Sequence, residues 1–400
     1  MIAPPPLTTH DGRPAGELWA LDPSLRHLNH SSFGGVPRAA IAQQQRLQAM
    51  MHAAPVRWFS GLPARVADAR AAVAGYLDVD ADRFAFVANA SAGCTAVFNS
   101  VQLPAGAEIV VTDHGYGAVV MGAHRIARRI GGRVVVARVE LAADESFAAQ
   151  AVIDAFNDRT AMVIVDQITS ATGKLLPVAR ICAAARARGI VSVVDGAHAP
   201  LLLPNAISAA DADYWFGNLH KFGCAPTGSA VLAPGPDLAD TLDPLIDSWG
   251  APLVFPASFD RQGTLDLTAW LATRAAFDEI ERHLGWERVR RYVSTLADYA
   301  QHTVTAAMSE AIGLDRRAEV GMPAASMRLV ALPGGLVSSE ETANALRNRM
   351  LAELGIEAAF SCFDGRGYLR LSAHAYNNAG DYQDFVIRAV PWLCRLARIA

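Results

Sequence analysis

An α/β fold followed by a smaller α+β domain is what this 400-residue chain predicts. Short β-branched runs alternate with segments of helical periodicity up to about residue 255, and long helical stretches with a few strands take over after it. A composition of 52% hydrophobic and 18% charged residues supplies an ordinary globular interior.

The elements follow in order. The Pro-rich opening "MIAPPPLTTHDGRPAGELWALD" has too little periodicity to fold alone, so it is expected to pack on the second domain. A helix is expected over "SGLPARVADARAAVAGYL", from Ser60 to Leu77, with Ser and Pro near its start. Strands are expected at "FAFVA" from Phe84, "EIVVT" from Glu108, "RVVVARV" from Arg133, "AMVIVD" from Ala161 and "IVSVVD" from Ile190. The helical "VARICAAARARG" lies between the last two, a crossover pattern that implies parallel strands. Beyond residue 255, a long helical stretch covers 267–303, and strands "SMRLVAL" and "GYLRLSA" are separated by a helix. The expected division is an arm over 1–28, a large domain over 29–255 and a small domain over 256–400.

A net charge of −4 and a pI near 6.3 give no footprint for nucleic acid or an anionic membrane surface. Cys94, Cys182, Cys224, Cys362 and Cys394 are odd in number, scattered and free of any C-x-x-C pair, which argues against a disulfide framework or a zinc cluster. No basic segment precedes an apolar run at the start, and no stretch is apolar for eighteen residues. A cytoplasmic protein is expected.

Lys plus Arg total 35, yet only Lys174 and Lys221 are lysines. Arginine cannot lose its proton in a protein, whereas a desolvated lysine can become an amine nucleophile and form a Schiff base. Lys221, in "DYWFGNLHKFGCAPTGSA", is therefore a candidate for covalent chemistry, with a chance surface charge as the alternative; for Lys174, in "ATGKLLP", the surface reading is the expected one.

Ligand groups gather at the carboxyl ends of strands in α/β sheets. The run "IVSVV" ends in "DGAHAP", placing Asp195 and His198 at such an edge, and Lys221 follows about 26 residues later after "DYWF". Such a lysine and aspartate suit pyridoxal phosphate, because the lysine holds the aldehyde while an anion keeps the ring nitrogen protonated. His198 is a candidate donor to the phenolic oxygen, with a satisfied core histidine as the alternative. In "VANASAGCTAVFNS", Ser91 at a helix start is the candidate phosphate hydroxyl, or simply an N-cap. In "VTDHGYGAVV", Tyr116 is preferred over His114 as the side chain that stacks on the cofactor, against a packed turn aromatic.

The ordered set "LNHSSFGGVPR", "NASAG", "DHGYGA", "ITSATGKLLPV", "DGAHAP", "GNLHK", "RQGTLD" and "YLRLSAHAYNN" resembles the class V branch of the fold-type I pyridoxal phosphate enzymes, and within it the isopenicillin N epimerase-like group. The resemblance spans nearly the whole chain. It implies a large α/β domain around a mostly parallel mixed sheet, a smaller α+β C-terminal domain, pyridoxal 5'-phosphate as cofactor and a homodimer with shared active sites.

Carried over by position, the resemblance implies Lys221 as the covalent lysine, Asp195 as the ring-nitrogen partner and His198 as the phenolic-oxygen contact. Ala90, Ser91, Asn218 and His220 would surround the phosphate, and Thr264 would reach the phosphate of the neighbouring subunit. Arg370 would hold the substrate carboxylate, a task suited to a bidentate guanidinium. Asn29 and His30 would lie at the lip of the site. Gln167 stands where relatives of this group often carry a substrate-facing histidine. Cys362 lies eight positions before Arg370, unlike the upstream loop cysteine of desulfurases, which argues against persulfide chemistry.

The implied activity is proton abstraction at the α-carbon of an amino acid or amino-acid-derived metabolite, with epimerisation first. Carbon–sulfur lyase or desulfurase-like elimination and transamination are the alternatives, and a non-catalytic cofactor-binding scaffold is the alternative of another class. A nicotinamide enzyme fits less well, since no G-x-G-x-x-G opens a helix after the first strand.

Overall fold

The structure, a computed structural model, describes residues 1–397 and contains two compact units. The large unit comprises Val36–Ser170 and Leu176–Glu279; the small unit comprises Met1–Gly35, Ala171–Leu175 and the chain from Ile280 onward. The division thus falls at Glu279/Ile280, whereas the change of pattern in the sequence lies near residue 255.

Among the described residues, the sheet of the large unit has seven strands: β1 (Ala85–Val87), β2 (Glu108–Thr112), β3 (Arg133–Ala137), β4 (Thr160–Asp166), β5 (Val191–Asp195), β6 (Tyr214–Asn218) and β7 (Ala230–Pro234). Their order is β1-β7-β6-β5-β4-β2-β3. β2 to β6 pair in parallel, while β7 is antiparallel to both β6 and β1. Two antiparallel pairings in succession return β1 to the sense of β6. The carboxyl ends of β1, β2, β4, β5 and β6 therefore share one edge, with the change of winding direction between β2 and β4.

The central segments form strands because they are apolar, rich in β-branched and aromatic residues, and buried on both faces, as helix-covered parallel sheets require, whereas the edge strand β3 is partly exposed. Val97, Ile109, Ile164, Val193, Phe216 and Leu232 belong to one buried cluster, each contributing about 1.5–3 kcal/mol of transfer free energy. The helix Ala90–Ser100 lies tightly on β6: a Cβ added at Gly93 would sit 2.9 Å from the Cβ of Phe216. Replacing Gly93 by a larger residue would force that helix, and its start, away from the sheet.

In the small unit, β8 (Met327–Ala331), β9 (Ala359–Phe363) and β10 (Arg366–Ser372) form an antiparallel sheet in the order β9-β10-β8. The helices Trp286–Ile312 and Ala379–Ala397 pack on each other, the first also on β8, and the helix Glu340–Leu354 packs on β9. The helical stretch over 267–303 is two helices, Thr268–His283 and Trp286–Ile312; Gly285, at φ +74°, makes the turn between them in a region that side chains disfavour. The N-terminal segment is tied into this unit where Arg288 Nη1 donates to the Thr8 carbonyl at 2.6 Å and the His10 N–H to that of His283 at 2.9 Å.

Lys174 corrects an expectation. It is fully buried rather than at the surface, because its segment is drawn into the small unit by backbone bonds from Leu175 N–H to Met322 and from Ala324 N–H to Gly173, each 2.7 Å. Among the described residues, no helix is long and apolar enough to cross a membrane.

Candidate active site

The carboxyl edge of the large sheet collects most of the residues singled out in the sequence. Asp195 closes β5, buried, with Oδ1 accepting from the Ala197 N–H at 2.8 Å. The turn continues to His198, also buried. Gly196 is required between them: an added Cβ would lie 2.2 Å from the Trp215 ring, so only a glycine lets the turn pass that side chain.

Lys221 sits on the turn between β6 and β7. That turn is pinned by the Leu219 and His220 N–H groups, which donate to the Ser229 carbonyl at 3.0 and 3.2 Å, and by Cys224 N–H to the Lys221 carbonyl at 2.9 Å. The Lys221 amine is half-buried and lies 3.1 Å from His198 Nε2. A charged ammonium can donate to that nitrogen only if the imidazole is neutral with its proton on Nδ1.

His220 Nδ1 faces the Ser229 carbonyl at 3.0 Å and must donate to it. Burial pushes this imidazole down to about 4, so it is neutral with Nε2 bare. An anion beside Nε2 would raise that value and bring a proton with it.

Asn218, the last residue of β6, accepts the Ala90 N–H at 2.8 Å, tying the start of the helix Ala90–Ser100 to the sheet edge. Its N-cap is Asn89, whose side chain accepts from the Ala92 N–H at 2.8 Å, so Ser91 is not the cap; it is exposed in the first turn. Tyr116 is 44% exposed at the start of the helix Gly117–Arg129. His114 is buried with Nε2 at 2.7 Å from the Val139 carbonyl, a structural tie.

Gln167 follows β4. Its amide is engaged at both ends, accepting from Trp215 Nε1 and donating to the Ala206 carbonyl, each at 2.9 Å, while its backbone N–H donates to the Asp195 carbonyl at 2.8 Å. These bonds make it a wall beside Asp195. Sequence reasoning missed its neighbour Asp166, which is paired in register with Asp195 and equally buried. The strand-end rule that selected Asp195 applies to "AMVIVD" as well.

Electrostatics distinguish the two carboxyls. Burial pushes Asp195 up to about 6, although the Ala197 N–H and the Lys221 charge pull the other way. Burial, then the charge on Asp195, push Asp166 well above the usual carboxylate range, although the nearby Tyr116 N–H and Lys221 favour its anion. One buried negative charge at this edge costs less than two, so of the pair Asp166 is the carboxyl whose proton is favoured.

Arg370, Asn29 and His30 form a second group, in the small unit. Arg370, on β10, is buried, and its Nη2 donates to Asn29 Oδ1 and Ser32 Oγ, each at 3.1 Å; Ser32 Oγ in turn donates to Asn29 at 2.7 Å. Burial, then the neighbouring Arg347, lower Arg370 to about 10, which still leaves it charged. His30 is buried in an aromatic group, stacked on His374 at 3.9 Å, with Nδ1 3.0 Å from the Tyr376 hydroxyl. Thr264 stands apart from the Lys221 cluster within the large unit. It is exposed and lines a different cavity with Phe59, Trp249 and Asp260.

Pyridoxal phosphate fits the sheet edge on the chemistry of its donors. An amine is available, a buried carboxylate gains from a cationic ring nitrogen beside it, and a helix start faces the same edge for the phosphate.

The class-V aminotransferase family matches residues 36–385. The chain is 31% identical to the isopenicillin N epimerase of Streptomyces clavuligerus over 377 residues, covering 89% of this chain and 92% of that protein. It is 26% identical to the putative L-cysteine desulfhydrase 1 of Oryza sativa subsp. japonica, covering 90% of this chain and 81% of that protein. Among solved structures it is similar to the cystine C-S lyase C-DES in complex with its reaction product cysteine persulfide, with a TM-score of 0.78, 19% identity, and coverage of 92% of this chain and 97% of that one.

Proposed function

Since the chain belongs to the class-V aminotransferase family and has its fold-type I architecture, we propose that it is a pyridoxal phosphate enzyme acting at the α-carbon of an amino acid or amino-acid-derived metabolite, with epimerisation as its reaction. The observation that carries this reading is the meeting of Lys221, His198 and Asp195 on adjacent strand ends. The 31% identity to an isopenicillin N epimerase favours epimerisation among the possible outcomes.

In this reading Lys221 would hold the cofactor and would be the base that removes the α-proton. When bound, the cofactor ring accepts the electrons left on that carbon. Asp195 supplies the anion that keeps the ring nitrogen protonated. His198 would hold the phenolic oxygen, Tyr116 would stack on the ring, and Ala90, Ser91, Asn218 and His220 would bind the phosphate. Arg370, held by Asn29 and Ser32, takes the substrate carboxylate in a fixed fork. Delivery of a proton from solvent to the opposite face, with Lys221 giving up the one it took, would complete an epimerisation.

A homodimer belongs to the same proposal. Thr264 is exposed next to Trp249, itself 86% exposed, with Val254 and Leu265 also exposed nearby in the chain. Apolar surface of this kind around a residue expected to reach a neighbouring phosphate suits a subunit interface.

Carbon–sulfur lyase activity is the second reading, favoured by the identity to a desulfhydrase over 90% of the chain. A persulfide on Cys362 is not part of it: this cysteine lies within β9, in register with Gly367 of β10, rather than on a loop that can travel to a substrate. Fold does not choose between these outcomes. Incubating the cofactor-loaded enzyme with a panel of single-enantiomer amino acids decides. Appearance of the opposite enantiomer supports epimerisation, release of pyruvate or sulfide supports the lyase, and an unchanged panel with an unchanged cofactor spectrum overturns both.

A further inference from the structure

Asp166 is a buried acid on the sheet edge that the proposed function leaves without a role. It closes β4 as Asp195 closes β5, and the two are paired in register. Side chains alternate across a strand, so Asp166 shares a face with Ile164, and Asp195 with Val193. Ile164 and Val193 belong to one buried cluster with Val97 of the helix Ala90–Ser100 and Ala123 of the helix Gly117–Arg129. Both carboxyls are therefore directed into the layer of the two helices whose starts carry Ser91 and Tyr116.

The Asp166 carboxyl accepts the Tyr116 N–H. Tyr116 is the N-cap of the helix Gly117–Arg129, and an N-cap N–H has no partner inside its own helix. The rest of the turn is tied elsewhere: Asp113 Oδ1 accepts the Val139 N–H at 3.0 Å, His114 Nε2 faces the Val139 carbonyl at 2.7 Å, and the Gly115 N–H donates to the Thr112 carbonyl at 3.0 Å. A Cβ added at Gly115 would lie 2.9 Å from Val120 Cγ2 and 3.1 Å from the Thr112 carbonyl oxygen, with Asp166 Oδ2 at 3.9 Å, so the turn closes down on the carboxyl. The Tyr116 ring itself is exposed and takes little of its orientation from packing, which leaves its backbone to supply it.

This acceptor does not have to be charged. Burial and the Asp195 charge favour the acid form of Asp166, and a carboxylic acid still accepts through its carbonyl oxygen.

We propose that Asp166 is a positioning residue that, by accepting the Tyr116 N–H, holds the turn 113–116 so that the Tyr116 ring meets the face of the bound cofactor. The inference rests on Tyr116 stacking there.

The test titrates the apoprotein with pyridoxal phosphate, following the absorbance and visible circular dichroism of the bound cofactor. Tyr116→Ala and Asp166→Ala should each weaken binding about tenfold, the scale of one aromatic contact, and lower the dichroism alike. The double variant should bind within about twofold of either single one, because residues that act through one contact are not additive. Tyr116→Ala keeps the backbone N–H, so a purely structural role of Asp166 would cost as much in that background as in the wild type. Asp166→Asn retains a neutral acceptor and should recover most of the affinity. Binding unchanged by Asp166→Ala overturns the proposal, as do losses that multiply in the double variant, or a loss in Asp166→Asn equal to that in Asp166→Ala. Wild-type binding by Tyr116→Ala removes the stacking reading and this proposal with it, whereas absence of borohydride labelling at Lys221 would remove that lysine as the cofactor's anchor.

Discussion

Lys221 Nζ lies 3.1 Å from His198 Nε2, on turns that follow the adjacent parallel strands β6 and β5. A neutral imidazole nitrogen facing the amine can share its proton, which suits a group that must give up that proton to react. Borohydride reduction of the holoenzyme followed by peptide mapping should place the pyridoxyl mass on Lys221. Lys174, fully buried in the small unit, should carry none.

Asp195 predicts a conflict between stability and function. A rise from 3.8 to about 6 corresponds to roughly 3 kcal/mol of unfavourable charge burial in the chain without cofactor. The folded value lies above the unfolded one, so the folded chain binds more protons in between, and this contribution weakens stability as pH rises from about 4 to 6 and is level above that. Asp166, raised in the same direction, adds to the trend. Asp195→Asn should therefore stabilise the apoprotein at pH 7.5 by about 1–3 kcal/mol, measured by urea unfolding, while cofactor retention collapses. Destabilisation of the apoprotein would show that its bond to Ala197 outweighs the buried charge.

Arg370→Lys should lower kcat/KM by at least about a hundredfold, because one ammonium cannot reproduce a two-pronged fork. Burial compounds the loss: what lowers Arg370 to about 10 would act on a group that begins at a lower value. Wild-type turnover in this variant would remove Arg370 from the role.

Thr264→Ala should leave the fold intact and weaken cofactor retention, and Trp249→Glu, at an exposed apolar position, should give monomers by sedimentation. A monomeric variant with full activity and tightly held cofactor would contradict the shared site.

Much of the large sheet is legible in the sequence because its strands are β-branched runs buried on both faces: 108–112 matches the expected strand, and those at 160–166 and 191–195 match within a residue. The strand Ala230–Pro234 is not legible as such, since its short apolar run follows "APTGS" and closes on a proline. At the site, the residues of the Lys221 edge were found through strand ends and motif order. Asp166 was missed although it obeys the same rule, because Gln167 beside it drew the functional reading, and the coupling of the two carboxyls arises from the β4–β5 register.

The central claim is that Lys221 removes the α-proton of a substrate anchored by Arg370, and exchange of that hydrogen in deuterated water measures it directly. With a substrate identified from the amino-acid panel, the wild-type enzyme should wash out the α-hydrogen, with inversion accompanying exchange. Lys221→Ala should slow the exchange by several orders of magnitude even when it binds the substrate, and Cys362→Ser should change it little. Exchange that persists at the wild-type rate in Lys221→Ala would contradict the account.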